Sequence, residues 1–342
     1  MPAKKKTYKL PTYLAPREKN NKHKYKYIPK KIFQTGETNE VTKGMYDAVH
    51  TWIDKNPDWE YHFFDNKACR YFIKEHFPKK VLDAYDTLIP GAYKADLWRY
   101  CVLYIHGGVY VDNKCVLLAS SLNDVIPEDV EFLSVLAGKQ KERCYEYPGY
   151  IFQAFICSKP KHLFLKKAID MIIKNVDIGY YGPDSLSPTG PALLGKAMNL
   201  VMKRNEKSSH HLGFSIFSGF KYFLWEECLD NNIKTSYKNK DECNVFKHKY
   251  SVKDYDLQRK NNTIKNMQSN YWVSWAFEKV YKHGKVDKNS LIVNNHKCFS
   301  AIKWLRFLLH RRELKKFLQL FFWILFKRPK MLCYITKKIF RK

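Results

Sequence analysis

What this sequence lacks narrows its class before any motif is considered. Its nine cysteines are odd in number and form no Cys-x-x-Cys pair. A disulfide framework and a structural zinc site are both disfavoured, and reduced thiols are expected. The amino-terminal stretch MPAKKKTYKL has no apolar core of the kind a signal peptide carries, so the expected setting is cytoplasmic. There is no internal repeat, and no low-complexity run outside the basic ends. The apolar run FLQLFFWILF, which starts at Phe317, has roughly half the length a bilayer span requires. Acids are scarce too: 33 Asp and Glu stand against 61 Lys and Arg, for a net charge of +28.

The location of that charge matters more than its size. Residues 1–31 hold eleven Lys and Arg against Glu18, and residues 304–342 hold twelve against Glu313, which leaves +7 for the body. A nucleic-acid-binding protein is expected to spread basic residues over a folded face and interleave them with stacking aromatics. Here the excess is terminal, and the carboxyl-terminal end is too apolar for a solvated arm, so nucleic acid is disfavoured as a partner. The segment WLRFLLHRRELKKFLQLFFWILFKRPK sets Leu314, Phe317, Leu318, Phe321, Phe322 and Leu325 at helical spacing. Trp304 and Trp323 suit headgroup depth, so an amphipathic helix on an anionic membrane surface is expected. The alternative is that this helix packs on the body of the protein.

What is present indicates a folded α/β protein. Apolar residues make up 45% of the chain and aromatics 16%. KKIFQT (30–35) and WEYHFFD (59–65) read as strands. They alternate with helical stretches at TKGMYDAVHTWIDKN and NKACRYFIKEHF. Such alternation predicts a sheet with parallel pairing. EFLSVLAG (131–138) and YIFQAFICS (150–158) read as further strands, and HLFLKKAIDMIIKNV (162–176) as an amphipathic helix. Residues 205–300 are irregular and Lys/Asn-rich. The division expected is a basic arm at 1–27, a main domain at 28–300 and a basic amphipathic tail at 301–342.

The chemistry concentrates in GAYKADLWRYCVLYIHGGVYVDNK, residues 91–114. On a helix Asp96 and Arg99 share a face, and taken alone they can equally be a surface ion pair. Gly107-Gly108 caps that helix, and the strand that follows runs straight to Asp112. Ligands in open α/β sheets gather at the carboxyl ends of strands, where an unused charge is costly. A second segment, GYYGPDSLSPTGPALLGKAM (179–198), puts Thr189, Gly190 and Pro191 in a turn before an apolar helix. It is either a ligand loop or an ordinary Gly/Pro loop. Trp272 and Trp275 can form a sugar or base platform, although aromatic pairs at helical spacing are more often core. No carboxylate pair sits at glycosidase-like positions, so hydrolysis is not favoured.

In order and spacing, IPKKIFQT, NPDWEYHFFD, GAYKADLWRYCVLYIHGGVYVD and SPTGP resemble glycosyltransferase family 32 over about residues 28–200. That family comprises DXD-motif sugar transferases, including yeast initiating α-1,6-mannosyltransferase and capsular, lipopolysaccharide and viral enzymes. The resemblance implies a GT-A-like (Rossmann-like) mixed sheet flanked by helices. It implies a nucleotide-sugar donor (UDP- or GDP-linked), a glycan or lipid-linked acceptor, and retention of configuration. It also implies a divalent metal, Mn2+ or Mg2+. By position, Phe33, Gln34 and Thr35 would line the nucleotide, and Asp96 and Arg99 would hold ribose and the sugar or phosphate. Asp112 would bind the metal, Gln153 would support the sugar, and Thr189, Gly190 and Pro191 would face the acceptor.

The departure from the family pattern is Lys114, which stands where the second Asp of the motif is expected. Negative charge grows on the departing diphosphate, and something positive must meet it. A unit charge at about 4 Å is worth roughly 4 kcal/mol at an intermediate dielectric, so a lysine is not negligible there. Three readings stay open. Lys114 takes over part of the metal's role; or it points away and another carboxylate such as Asp184 completes a metal site; or the chain is a non-catalytic relative, acting as a membrane-associated or nucleic-acid-binding protein.

Overall fold

The structure is a computed structural model and describes residues 7–18, 25–137, 149–229, 235–238, 244–247 and 280–282. Its strands in chain order are β1 (Tyr8–Lys9), β2 (Tyr13–Leu14), β3 (Lys31–Thr35), β4 (Glu40–Val41), β5 (Glu60–Phe64), β6 (Gly108–Val111) and β7 (Val116–Leu117). They continue with β8 (Phe132–Leu136), β9 (Phe155–Ser158), β10 (Gly213–Phe217), β11 (Phe220–Leu229), β12 (Thr235–Lys238) and β13 (Asn244–Lys247). The helices are α1 (Lys43–Asp54), α2 (Asn66–His76), α3 (Lys79–Thr87), α4 (Gly91–His106), α5 (Leu163–Asp177) and α6 (Pro191–Val201).

One large sheet follows the order β2-β5-β3-β6-β9-β8-β11-β12-β13-β7, with β10 on β11, while β1 and β4 pair separately. The expectation of parallel pairing holds for β3 with β5 and β6 and for β8 with β11. It fails at β9, which runs antiparallel between β6 and β8. The chain enters β9 from the end of the sheet at which β6 finishes, so it can only run back. The sheet is therefore mixed, as the fold class anticipated. The strand read at 150–158 is also shorter than expected: Ile151 makes only an isolated bridge to Leu136, and regular pairing begins at Phe155.

Two-residue alternation divides the sheet into two faces. Phe33, Tyr110, Ile156 and Tyr222 pack beneath α2 to α6, whereas Ile32, Val109, Val111 and Phe155 face the layer containing α1. On α1, Ala48, Val49, Trp52 and Ile53 make the apolar stripe that docks there. The Asp65 carboxylate caps α2 by accepting from the Ala68 N–H at 2.8 Å. Residues 79–87 form α3, whose Val81, Ala84 and Tyr85 are buried. Tyr8–Lys9 and Tyr13–Leu14 are woven into strands, so part of the segment read as a basic arm is structural. The amphipathic tail and the Trp272/Trp275 pair lie outside the described residues. Among the described residues no helix is long and apolar enough to cross a membrane.

Candidate active site

The motif at residues 91–114 folds as its sequence suggested: a helix, a Gly-Gly turn and a strand. On α4, Leu97, Trp98, Cys101, Val102 and Leu103 are fully buried, which fixes the helix against the sheet. Burying side chains of this kind contributes about 1.5–3 kcal/mol apiece, enough to hold charged neighbours in a set place. Gly107 ends the helix at φ 64°, where a Cβ would sit 2.6 Å from Pro160 Cδ. The chain reverses into β6, and alternation puts Tyr110 and Asp112 on the face that α4 covers.

The charges meet there. Arg99 Nη2 lies 3.4 Å from Asp96 Oδ1 and 3.6 Å from Asp112 Oδ1. Its Nη1 donates to Gln153 O at 2.6 Å, and its Nε to Ala95 O at 3.2 Å. The guanidinium stacks over the Tyr110 ring, 4.5 Å from the centroid. Tyr110 in turn donates its hydroxyl to Asp112 Oδ1 at 2.7 Å. Burial, with Asp112 adding to it and Arg99 opposing, holds the Tyr110 phenol well above its usual pKa, so it remains a donor. Asp96 is 0% and Arg99 4% exposed, which rules out the surface-pair reading.

Thr189 arrives from the second motif and donates Oγ1 to Asp96 Oδ2 at 2.7 Å. Its carbonyl accepts from the Tyr100 hydroxyl at 3.2 Å, and that hydroxyl accepts from Gln153 Nε2. A closed ring thus joins Asp96, Arg99, Gln153, Tyr100 and Thr189. Gly190 is a position where a Cβ would meet Leu186 O at 2.9 Å. Pro191 opens α6, and its carbonyl accepts from Ile151 N at 3.1 Å. Gln153 Oε1 and Gln34 Nε2 are buried and find no partner among the described residues. Such atoms are costly unless something else satisfies them.

The expected nucleotide segment is divided. Phe33 is core, stacked between His62 and His106 at 5.0 and 5.8 Å. Thr35 Oγ1 donates to Phe64 O at 2.7 Å. Gln34 accepts from the Tyr61 hydroxyl at 2.9 Å and retains its unpartnered amide nitrogen. Parallel pairing with β6 brings the end of β3 to the Asp112 loop, where a Cβ on Gly36 would sit 2.9 Å from Asn113 Nδ2. Alternation therefore turns Phe33 and Gln34 to opposite faces, with Phe33 on the face that carries Tyr110 and Asp112 and Gln34 beside Tyr61 on the other.

Lys114 points into the site: its Nζ is 3.0 Å from Asp112 Oδ2. This overturns the reading in which it turns away. Asp184 accepts from Tyr150 Oη, Leu186 N and Ser187 Oγ, so it braces its own loop. Among the described residues no three His, Cys, Asp or Glu side chains gather as a metal site. Asp112 Oδ1 is engaged by Tyr110 and Arg99, and Oδ2 by Lys114. As these side chains stand, a divalent ion on either oxygen would press against a cation, so the set does not fit one.

Sequence reasoning missed Tyr110, Tyr100 and Tyr150. Tyr110 was recoverable, since it sits two residues before Asp112 on a strand and must share its face. Tyr100 and Tyr150 carried no such signal.

Comparison with known proteins agrees with the motifs. Residues 42–132 match the family described as "Glycosyltransferase sugar-binding region containing DXD motif". Inositol phosphoceramide mannosyltransferase 3 of Schizosaccharomyces pombe is 39% identical over 85 residues, 25% of this chain and 24% of its own. The initiation-specific alpha-1,6-mannosyltransferase of Candida albicans is 33% identical over 93 residues, 25% of this chain and 24% of its own. A mannosyl phosphorylinositol ceramide synthase of Saccharomyces cerevisiae is 33% identical over 170 residues, 49% of this chain and 41% of its own. The chain thus spans between a quarter and two fifths of these relatives' lengths. Among solved structures, PaToxG Glycosyltransferase aligns with 52% of this chain and 71% of its own at 17% identity and a TM-score of 0.39. Residues 42–132 are therefore similar to the sugar-binding region of the DXD glycosyltransferases, in line with the resemblance that the motifs carry.

Proposed function

We propose that this chain is a hexosyltransferase that moves a sugar from a UDP- or GDP-linked donor to a glycan or lipid-linked acceptor, with retention, on a GT-A-like sheet. One observation carries the reading. The buried Asp96 carboxylate and Arg99 guanidinium of α4 meet the partly buried Asp112 at the end of β6, and the second motif, distant in sequence, holds them there through Thr189. A fully buried Asp96 fixes Arg99, which leaves Asp112 and Lys114 to face the ligand. The anomeric carbon's bond to the diphosphate oxygen breaks while its bond to the acceptor oxygen forms. The acceptor's proton passes to the departing diphosphate, whose growing charge Arg99 and Lys114 meet. Gln153 Oε1 offers an unsatisfied polar atom through which the sugar is read.

The membrane part of the proposal rests on the basic, apolar sequence of residues 301–342. It places the enzyme at the cytoplasmic face of an anionic bilayer, where lipid-linked acceptors reside. Flotation with phosphatidylserine vesicles tests it: the full chain floats, and a chain ending at residue 300 does not. The catalytic part is tested by release of UDP or GDP from a panel of nucleotide hexoses. Release from at least one donor, abolished in Asp112→Asn, supports transfer. Binding without release from any donor favours the non-catalytic relative.

A further inference from the structure

The substitution at the second motif position has an electrostatic consequence of definite size. Replacing a carboxylate by an ammonium changes the local charge by two, which is the charge of the divalent ion that a pair of carboxylates would hold. Asp112 and Lys114 reach neutrality by themselves, with Lys114 Nζ 3.0 Å from Asp112 Oδ2. We propose that Lys114 is the site's built-in counter-ion for the donor diphosphate, and that the site works without a divalent metal. The inference rests on the hexosyltransferase reading above.

Three features of the site support this assignment. First, Lys114 is held in place, since Asp112 is itself fixed by Tyr110, by Arg99 and by its backbone N–H to Ala154 O at 2.9 Å. Second, Lys114 is the outer cation: its side chain is 23% exposed against 5% for Arg99, while Asp112 is 17% exposed. A ligand arriving at the end of β6 meets the ammonium before the guanidinium. Third, an ammonium is a compact point charge on a flexible stem, suited to following charge as it moves onto the leaving diphosphate. It donates hydrogen bonds to the departing oxygens and keeps its proton throughout.

The test is calorimetric titration of the full chain with UDP and with GDP, once in EDTA and once in excess manganese. The wild type is expected to bind at least one of them with affinities in the two buffers that agree within about threefold. Lys114→Met keeps the stem and removes the charge, and should weaken binding tenfold or more in both buffers. Lys114→Asp rebuilds the two-carboxylate spacing, and should lose binding in EDTA and regain it with manganese. Its own manganese binding is read from the loss of the free-ion electron paramagnetic resonance signal, which the wild type should leave unchanged. Circular dichroism confirms that both variants fold. Wild-type binding more than tenfold weaker in EDTA overturns the inference and leaves the transferase reading intact. So does a Lys114→Met variant that binds like the wild type. Failure of the wild type to bind either nucleotide in both buffers overturns the transferase reading and this inference with it.

Discussion

Thr189 Oγ1 donates to Asp96 Oδ2 at 2.7 Å across 93 residues of sequence, and both side chains are buried. The bond ties the loop before α6 to the middle of α4, and it orients the carboxylate that holds Arg99. Thr189→Val keeps the shape and deletes the donor. A buried acceptor left short of a partner costs about 1–3 kcal/mol, so the denaturant midpoint should fall accordingly. Donor turnover should fall with it, and Thr189→Ser should restore both. Unchanged turnover in a destabilised Thr189→Val would reduce the bond to a purely structural role.

Arg99 serves four acceptors from one planar group, namely Asp96, Asp112, Ala95 O and Gln153 O. Lysine has the charge and lacks the fork. Arg99→Lys should fold, because a positive charge still meets Asp96. It should lose charge-assisted bonds worth roughly 1.5–3 kcal/mol each. If one such bond matters to the transition state, turnover falls about tenfold to a hundredfold. Steady-state rates with the best donor check this, and a loss below threefold would remove Arg99 from the reacting geometry.

Much of this site could be read in the sequence because its geometry is local. Helix spacing joins Asp96 to Arg99, a Gly-Gly turn reverses the chain, and strand alternation delivers Asp112. Phe33 was misplaced because the motif names three consecutive residues, while a strand sends neighbours to opposite faces. The Thr189–Asp96 bond and the bridge from Gln153 through Tyr100 depend on tertiary packing, and no residue pattern announces them. The antiparallel course of β9 was hidden for a similar reason, since periodicity reports which face a strand buries and says nothing of its direction. Lys114 was legible as a departure from the motif. Its orientation toward Asp112 required coordinates.

Gly195 is fixed by packing. A Cβ there would lie 1.6 Å from Gly149 O, so α6 rests directly on the backbone that leads to Ile151 and Gln153. Gly195→Ala must push that segment aside. Overpacking of this kind costs about 1–3 kcal/mol or more, and the displaced segment carries the carbonyl that holds Arg99. Both stability and turnover should drop. Gly91→Ala is the matched control: it lies on α4 with nothing within 4 Å of a new Cβ. It should be neutral or stabilising by up to about 1 kcal/mol. Chemical denaturation of the two variants side by side tests the contrast.

His162 predicts a pH response. Its Nδ1 accepts from Phe164 N at 3.1 Å at the start of α5, and burial, aided by the Lys159 charge, pushes its pKa down to about 3. His210 is likewise lowered to about 4, chiefly by burial. Both stay neutral in the fold, whereas the unfolded chain protonates them near pH 6.5. Below that value the unfolded state binds more protons, so stability is greatest above pH 6.5 and declines as the pH falls toward 4. Between about pH 6 and 5 each contributes a slope approaching roughly 1.4 kcal/mol per pH unit, and that of His210 fades as the pH nears 4. Asparagine can supply the same capping acceptor without titrating. His162→Asn should therefore fold at neutral pH and lose close to one proton's worth of slope, measured by urea denaturation at pH 4.5, 5.0, 5.5 and 6.0. A slope equal to that of the wild type would show that His162 takes up its proton in the folded state.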